Sequence, residues 1–436
     1  MMYAEQVTDI PAAFRLKALS MEELDLFFCD ETMEIRTGDE YKSPIWDISE
    51  ACQTPSERNV FLLLGHSGCG KSTELNKMSS ELTANGYNVS IIKCAVDLDL
   101  FNPAFSDLLI LMGDALLGIA KKTGCKLNRK LEEKFVSYWS TEIVETTGKS
   151  RSVNFLTEAG VKVGTASFLS DILNVFAGVK TDIKVNAEKR IEYRQKISNR
   201  SSEWLDMLNA IAEIVTEKLD GKQPVLIFED LDKINDLETM YKIFSNEATA
   251  LTGIPFPVVY TFPIALSYDP RFASLEKYYA PKILPMIKLE TVEGAVYQEG
   301  IDVMMKIIEK RAKLSLFEEK VLDALIIKTG GSLRDLFSCI VAASKVAKRR
   351  ETAAVSMKDA EISLKELKSS LTRRIERRNY AFLADICEGN RRNIEDKAML
   401  LEMLEAHAVL EYNSDRWHNT HPLITEFLIE QGHAQK

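Results

Sequence analysis

A glycine-rich segment, residues 65–73, has the residue types and the spacing that hold a phosphate group. The pattern Gly-x-x-x-x-Gly-Lys-Ser runs from Gly65 to Ser72, after a buried-strand pattern (Val60–Leu64) and before a helical one (Ser72–Leu82). Glycines let backbone N–H groups turn toward a phosphate, and the N-terminus of the next helix favours the same anion. Lys71 can reach β- and γ-phosphates, and the Ser72 hydroxyl can ligate Mg²⁺. The segment predicts ATP or GTP binding by Gly65, His66, Ser67, Gly68, Cys69, Gly70, Lys71, Ser72 and Thr73.

An acidic cluster, residues 229–232, follows the buried-strand pattern Pro224–Phe228. Open α/β sheets bind ligands at the carboxyl ends of their strands, where this cluster would lie. We expect Glu229 to hold the metal together with Ser72, and Asp230 to polarise the attacking water, with Asp232 as a third candidate. This order reverses the more usual Asp-then-Glu and leaves the rate of hydrolysis open. The alternative is a solvated acidic strand end.

Two further polar residues come with the next strand pattern, Pro257–Thr261. Thr261 ends that strand, where it would contact the γ-phosphate or the lytic water, although threonine is common in strands in any case. Arg271 lies in a turn soon afterwards. It is either an arginine finger for a neighbouring subunit's nucleotide or an ordinary surface arginine. Both residues are candidates for catalysis.

A second arginine, Arg334, lies in an unusual place for a cation. Gly330 and Gly331 end one helical pattern, Ser332 can cap the next, and Arg334 then falls in the first turn. Cations are favoured at the opposite end of a helix, so an arginine here indicates an anionic target such as the γ-phosphate. The alternative is a salt bridge to Asp335 or Glu318.

Alternating strand and helix patterns must position these residues, and they predict an α/β fold with a parallel, helix-covered sheet. A strand pattern at Tyr87–Val96 and a helical one at Leu237–Leu251 complete the core, and residues 101–219 form a helical insertion. Three helices are predicted in the insertion: Phe101–Lys122, Asn128–Thr147 and Asn186–Leu219. We predict an N-terminal segment (1–58), a nucleotide-binding core with its insertion (59–290), a helical lid (291–370) and a C-terminal domain (371–436).

The composition excludes several classes of protein. The 436 residues are 46% hydrophobic and carry a net charge of −10, which argues against a surface that binds nucleic acid everywhere. The seven cysteines are scattered without zinc spacing, as in a reduced cytoplasmic protein. We predict no signal peptide and no contact with a membrane. The most apolar stretch, Val161–Val179, contains polar residues and is read as an amphipathic or buried helix.

The order of these motifs resembles an AAA+/STAND-type P-loop ATPase. Glu229-Asp230-Leu231-Asp232-Lys233 is similar to the acidic element of origin-recognition initiator ATPases, and Arg334 matches their sensor 2 arginine. The C-terminal pattern is also similar to the winged-helix domain of those initiators and of many uncharacterised bacterial ATPases. It consists of helices at Arg378–Glu388 and Ile394–His407, a wing at residues 409–417 and a last helix. The resemblance covers about residues 58–100 and 220–436, and it favours adenine, hence ATP with Mg²⁺.

The resemblance leaves the partner open. The helix Ile394–His407, which would enter a DNA groove, is acidic. Basic residues of the lid and the winged helix offer a possible nucleic-acid surface, or else solvated helix faces. They are Lys345, Lys348, Arg349, Arg350, Arg373, Arg374, Arg377, Arg378, Arg391 and Arg392. His418 and His421 have no third metal ligand near them in sequence, so packing or hydrogen bonding is the better interpretation.

We therefore expect an ATP-binding, ATP-hydrolysing switch that acts as a homo-oligomer or with a partner protein. By analogy alone, bacterial signalling or phage defence is a fitting setting. A nucleotide-stabilised scaffold with little turnover and a DNA-binding initiator or loader are the alternatives.

Overall fold

The computed structural model describes residues 2–39, 42–54, 58–140, 143–144, 150–151, 160–234, 236–413 and 415–435. The strands are β1 (Val60–Gly65), β2 (Val89–Lys93), β3 (Ile143–Val144), β4 (Ser150–Arg151), β5 (Val225–Glu229), β6 (Val258–Pro263), β7 (Ala280–Ile283), β8 (Val409–Tyr412) and β9 (Trp417–Thr420). Five of them form the central sheet, and the other four make two small antiparallel pairs.

The central sheet is parallel throughout, in the order β2-β5-β6-β1-β7. Its middle strands β1 and β5 are buried along their whole length, and their apolar sequences suit a sheet covered by helices on both faces. The predicted α/β fold with a parallel sheet is confirmed. The edge strand β7 was not predicted, because it is short and half-buried and contains Pro281.

Helices flank the sheet and make up most of the rest. In the N-terminal segment and the core they are Ile10–Ala13, Met21–Phe27, Thr32–Thr37, Pro44–Gln53, Lys71–Ala84, Cys94–Asp97, Leu237–Asn246, Ala248–Thr252 and Phe272–Leu275. In the insertion they are Phe105–Lys122, Arg129–Ser140, Phe168–Val185, Ala187–Asn199 and Ser201–Lys218. Short 3₁₀ turns lie at Val7–Asp9, Leu231–Lys233, Ile264–Tyr268, Leu314–Leu316 and Arg377–Asn379.

Several predicted elements were too long. The helix predicted over Asn186–Leu219 is two helices, because Arg200 leaves helical geometry with φ −135° and ψ 35°. The helix predicted over Asn128–Thr147 ends at Ser140, and the β-branched pair Ile143–Val144 is in a strand instead. The strand predicted over Tyr87–Val96 stops at Lys93, and the helix predicted over Leu237–Leu251 is interrupted at Glu247.

The insertion has a core of stacked aromatic rings. Trp204 is fully buried, donates its indole N–H to the Leu109 carbonyl at 3.0 Å, and lies 5.5 Å from Trp139 between ring centroids. Gly113 faces this ring, since a Cβ there would lie 2.5 Å from Trp204. The core of the insertion is continuous with one face of the central sheet, so the insertion is a firmly attached part of the core.

Four helices form what we call the lid: Gln298–Glu309, Val321–Lys328, Leu333–Arg349 and Met357–Thr372. The start of the chain packs into it. Ala4 forms a parallel bridge opposite Ala312, in which its N–H donates to the Arg311 carbonyl at 2.8 Å and its carbonyl accepts from the Lys313 N–H at 3.0 Å. The Phe14 ring meets Phe337 edge-on. The N-terminal segment therefore shares the apolar core of the lid.

The C-terminal region has the predicted order of helices and a two-stranded wing. Its helices, Tyr380–Cys387, Lys397–Glu405 and Pro422–Glu430, flank the antiparallel pair of β8 and β9. The first two are shorter than predicted, and the side chain of Asp396 caps the second by accepting from the Met399 N–H at 2.9 Å. In the part of the chain that the structure describes, no helix has the length and apolar character needed to cross a membrane.

Candidate functional site

A cavity of about 430 Å³ lies between the carboxyl end of the sheet, the N-terminal segment and the lid. The loop and polar residues of its lining include Gly68, Gly70, Lys71, Ser72, Glu229, Asp230, Asp232 and Arg334. The apolar residues of its lining include Leu19, Phe27, Phe28, Ile307, Leu333 and Phe337. We call these two groups of lining residues the polar end and the apolar end.

The glycine-rich loop connects β1 to the helix Lys71–Ala84 and forms the floor of the polar end. Gly68 and Gly70 have φ of +84° and +108°, values that L side chains rarely adopt. The first N–H groups of a helix have no partner within it, and Lys71 and Ser72, which begin this helix, line the cavity. Gly65, His66, Ser67 and Cys69 belong to the loop but do not line the cavity itself.

Lys71 is buried and held by three oxygens. Its Nζ donates to the carbonyls of Gly65 at 2.8 Å and His66 at 2.9 Å, and it pairs with Asp232 Oδ2 at 2.9 Å. Burial opposes the lysine charge, but the Asp232 carboxylate outweighs burial, and the pKa of Lys71 is raised. Asp232 is thus the ion-pair partner of the loop lysine.

Glu229 ends β5 beside the Ser72 hydroxyl, with which it interacts. Burial, with the nearby Asp230 charge second, raises the pKa of Glu229 to about 7. Its Oε1 is buried and has no hydrogen-bond partner within the described chain. A carboxylate oxygen and a hydroxyl facing a phosphate-binding loop fit Mg²⁺, which usually takes one or two protein oxygens together with phosphates and waters. Among the described residues, this site included, no cluster of three or more His, Cys, Asp or Glu could hold a metal without other ligands.

Asp230 lines the cavity in a left-handed backbone conformation, φ +71°. Its carboxylate pairs with Lys233 at 2.5 Å. Few non-glycine residues adopt this conformation. The two carboxylates at the end of β5 therefore have different surroundings: Glu229 is buried and forms no ion pair among the described residues, whereas Asp230 is paired with Lys233.

Two predicted catalytic residues lie outside the cavity. The buried Thr261 hydroxyl accepts from the Leu231 N–H at 3.1 Å and donates to the Phe228 carbonyl at 3.3 Å, so it binds the acidic loop to β6. Arg271 is exposed and pairs with Asp269 and Glu238 of its own chain, at 2.7 and 2.8 Å. Neither residue lines the cavity that holds Lys71 and Glu229.

Arg334 reaches across the polar end from the lid. Its Nη1 donates to Ser67 Oγ at 2.5 Å, and it forms no ion pair with Asp335 or Glu318. The approach is close, because a Cβ on Gly68 would lie 2.4 Å from the Arg334 Cβ. Arg334 thus bridges the lid and the phosphate-binding loop.

The apolar end was missed by sequence reasoning. Phe27 and Phe28 come from the N-terminal segment, and Leu333 and Phe337 come from the lid, about 300 residues later. Lys77 of the loop helix lies 5.6 Å over the Phe28 ring. The signal in the sequence was only a capped short helix at Ser20 ending in two aromatics, which says nothing about a ligand.

The site is also connected to the wing, through histidines. His66 of the loop is buried, and its Nε2 accepts from the Glu411 N–H of β8 at 2.9 Å, which requires that nitrogen to be unprotonated. Burial holds the pKa of His66 well below its usual value. Asp335, next to Arg334, meets His407 at 3.1 Å and His421 at 3.7 Å.

His418 and His421 have the packing and hydrogen-bonding roles that the sequence favoured. His418 Nε2 lies 2.8 Å from the Tyr268 hydroxyl, which donates to Glu411 Oε2 at 2.7 Å. His421 is fully buried, and its Nδ1 accepts from the Leu423 N–H at 3.2 Å. Neither belongs to a metal cluster among the described residues.

Comparison with other proteins shows similarity in backbone fold only. No protein-family model matches the sequence, and no curated protein does. The ORC2 protein of Aeropyrum pernix superposes with a TM-score of 0.41 at 13% identity, over 93% of this chain and 97% of that one. The Walker-type ATPase PABY2304 of Pyrococcus abyssi has a TM-score of 0.44 at 12% identity, over 96% and 99%. Cdc6p of Pyrobaculum aerophilum has 0.36 at 13% identity, over 97% and 98%.

Proposed function

We propose that this protein binds ATP with Mg²⁺ in the cavity, hydrolyses it, and acts as a switch whose lid responds to the γ-phosphate. One observation carries the proposal. Lys71, the Ser72–Glu229 pair and Arg334 of the lid line the same cavity of about 430 Å³ as the apolar residues of the N-terminal segment and the lid. A triphosphate with an aromatic base matches both ends at once.

Each residue has a role that follows from its position. The loop N–H groups and Lys71 would hold the phosphates, and Phe28 with Phe337 would cover the base. Ser72 and Glu229 would hold the metal, which would neutralise charge on the β- and γ-phosphates. Asp230 would polarise the attacking water after leaving Lys233, and Arg334 would exchange Ser67 for the γ-phosphate.

The contacts of the lid and the loop with the wing support a mechanism in which the lid and the wing move together. The lid residue Gly330 accepts from the Tyr412 hydroxyl at 2.8 Å, and His66 of the loop accepts from the Glu411 N–H. Any shift of Arg334 therefore acts on Asp335, and through His407 on the wing. Two discrete arrangements of this network would make a switch.

A phosphate-release assay tests hydrolysis. We expect slow release by the wild type and loss of release in Asp230→Asn, with ATP affinity kept. Thr261→Val should act mainly on stability, since its hydroxyl faces the protein. No release by the wild type under any condition, with ATP still bound, would instead support a nucleotide-stabilised scaffold. The ion pair of Asp230 with Lys233 is the observation that favours that alternative.

A DNA-binding role is less well supported by the contacts of the basic residues. Arg350, Arg378 and Arg392 pair with carboxylates at 2.6 to 2.9 Å, and Arg391 is buried against Glu290. Arg373 and Arg374 make weaker contacts, to Ser369 Oγ at 3.3 Å and the Ala406 carbonyl at 3.5 Å. Salt-dependent binding to a duplex, weakened by charge reversal at both, would support an initiator or loader.

The proposal also covers the oligomeric state and the cellular location of the protein. We infer a homo-oligomer or a partner-bound switch in the cytoplasm, consistent with seven free cysteines, and a bacterial signalling or defence role. Arg271 would act as a finger only if a neighbouring copy displaced Asp269 and Glu238. Sedimentation with and without ATP, on wild type and Arg271→Ala, distinguishes an ATP-dependent assembly from a monomer.

A further inference from the structure

Arg36 is a buried arginine of the N-terminal segment that contacts the phosphate-binding loop and lines the same cavity. It lies in the helix Thr32–Thr37 with 1% of its surface exposed. Its Nη2 donates to the Cys69 carbonyl at 2.6 Å and its Nη1 to the Pro285 carbonyl at 2.7 Å. One guanidinium thus joins the loop to the segment that follows β7.

The Cys69 carbonyl needs such a donor. A loop that turns its N–H groups toward a phosphate turns carbonyls outward, and a buried carbonyl without a partner is costly. Lys71 covers two of these carbonyls, those of Gly65 and His66. Arg36 covers the third, immediately before Gly70, and its Nη2 comes within 3.3 Å of where a Cβ on Gly70 would be.

Arg36 also brings positive charge that is not cancelled by an ion pair. No carboxylate lies within ion-pair distance of Arg36 among the described residues, and its Nε has no hydrogen-bond partner there. The buried carboxylate that feels its charge is Glu74, whose pKa burial raises to about 6 against the opposing effect of Arg36. An arginine in this state, beside an anion-binding loop and lining the same cavity, suits an additional negative charge in that cavity.

Other contacts fasten the same segment to the loop helix. The Asn76 amide donates to the Leu19 carbonyl at 2.7 Å, and the Leu19 N–H donates to Thr73 Oγ1 at 3.4 Å. The N-terminal segment therefore lies over the loop helix from residue 19 to residue 36. Arg36 is the member of this contact that reaches the loop itself.

We propose that Arg36 is a positioning residue for triphosphate binding, which holds the Cys69–Gly70 peptide with its N–H side toward the phosphates. This inference rests on the proposed ATP binding. Lysine at position 36 keeps the charge but carries its donors on a single nitrogen instead of the two separate guanidinium nitrogens Nη1 and Nη2, and glutamine keeps a hydrogen-bond donor without the charge.

Calorimetric titration of the full chain with ATP and with adenosine tests the proposal. We expect Arg36→Lys and Arg36→Gln to weaken ATP binding about tenfold or more, the effect of losing one charge-assisted hydrogen bond, and to leave adenosine binding unchanged. Arg391→Lys is the matched control. Arg391 is also buried, donates to two carbonyls at 3.1 and 3.2 Å and has a partnerless Nε, but it lies near the wing.

Each other result contradicts the inference. Equal losses for ATP and adenosine, or unchanged ATP binding in both variants, would mean that Arg36 does not position the loop. If neither variant folds while Arg391→Lys does, Arg36 serves folding. If the wild type binds no ATP, the proposed function itself is wrong, and the wild-type titration reveals this before any variant is made.

Discussion

The two ends of the cavity are built in opposite ways. The polar end comes mostly from two short runs, residues 65–73 and 229–232, with Arg334 added from the lid. The apolar end comes from side chains of the N-terminal segment and the lid, far apart in sequence. The first depends on backbone shape and charge within a few residues, and the second on packing between distant parts of the chain.

Because of this difference, we expect the two ends to tolerate substitution to different degrees. Phosphate binding needs a particular backbone conformation of the loop, so a single added Cβ in the loop should strongly weaken it. The apolar end needs only area and fit, and the loss of one ring removes a share of the contact. The predictions below test this contrast, from the largest effect to the smallest.

Gly68→Ala should nearly abolish ATP binding, with affinity at least about a hundredfold lower. The new Cβ would combine a φ of +84° with a 2.4 Å contact to Arg334, so the loop and the lid must separate. Titration calorimetry measures the loss. Gly164→Ala is the control, because Gly164 has a φ of +78° but nothing within 4 Å of its Cβ. An equal loss of ATP binding in both variants would mean that the loss does not arise from the contact of Gly68 with Arg334.

Phe28→Ala should weaken ATP and adenosine binding by a similar factor, about tenfold, as expected for losing one aromatic face under a base. Phe28 is half-buried at the apolar end, so the fold should survive. Competition binding with both ligands gives the two factors. Phe101→Ala, whose ring is 90% exposed in the insertion, should change neither. A loss for ATP alone would place Phe28 against the phosphates and reverse the assignment of the two ends.

Glu229→Gln should raise the thermal unfolding midpoint of the ligand-free protein at pH 8 but much less at pH 5. The pKa of Glu229 rises from an ordinary 4.5 to about 7, so the folded state holds an extra proton between these pH values. The stability contribution of Glu229 therefore falls as pH rises through this window. Removing the charge should help by about 2 kcal/mol more at pH 8 than at pH 5.

The proton on Glu229 should also weaken the binding of Mg²⁺. Wild-type affinity for ATP in the presence of Mg²⁺ should fall as pH drops below about 7, because the carboxylate must lose its proton to bind the cation. Affinity measured with EDTA should lack this step. If the unfolding midpoints of Glu229→Gln and the wild type differed by the same amount at pH 5 and pH 8, Glu229 would stay in one protonation state across this range.

The sequence predicted the polar end and the parallel sheet because both have local signatures. Gly65–Ser72 is a contiguous motif, and buried apolar strands precede both functional runs. It missed Arg36 and Phe28, since neither has a pattern in its own neighbourhood that records what lies across from it. The Thr261 hydroxyl was expected to face the ligand, but its partners are backbone groups of Phe228 and Leu231.

The contact of His66 with Glu411 was beyond sequence reasoning for the same reason. It joins positions 345 residues apart. The strand β7 was not predicted because its four residues, one of them proline, have weak strand character. In each case the missing information was the tertiary packing, whereas local propensity sufficed for the elements that carry the motif.

Calorimetric titration of ATP into the wild type and Lys71→Ala tests the central claim most directly. Lys196→Ala is the control, a buried lysine in the insertion that donates to the Trp139 carbonyl at 2.7 Å. We predict saturable one-site binding by the wild type and Lys196→Ala, and affinity reduced at least about a hundredfold in Lys71→Ala. ATP binding that survives intact in Lys71→Ala would contradict the assignment of this cavity as the nucleotide site.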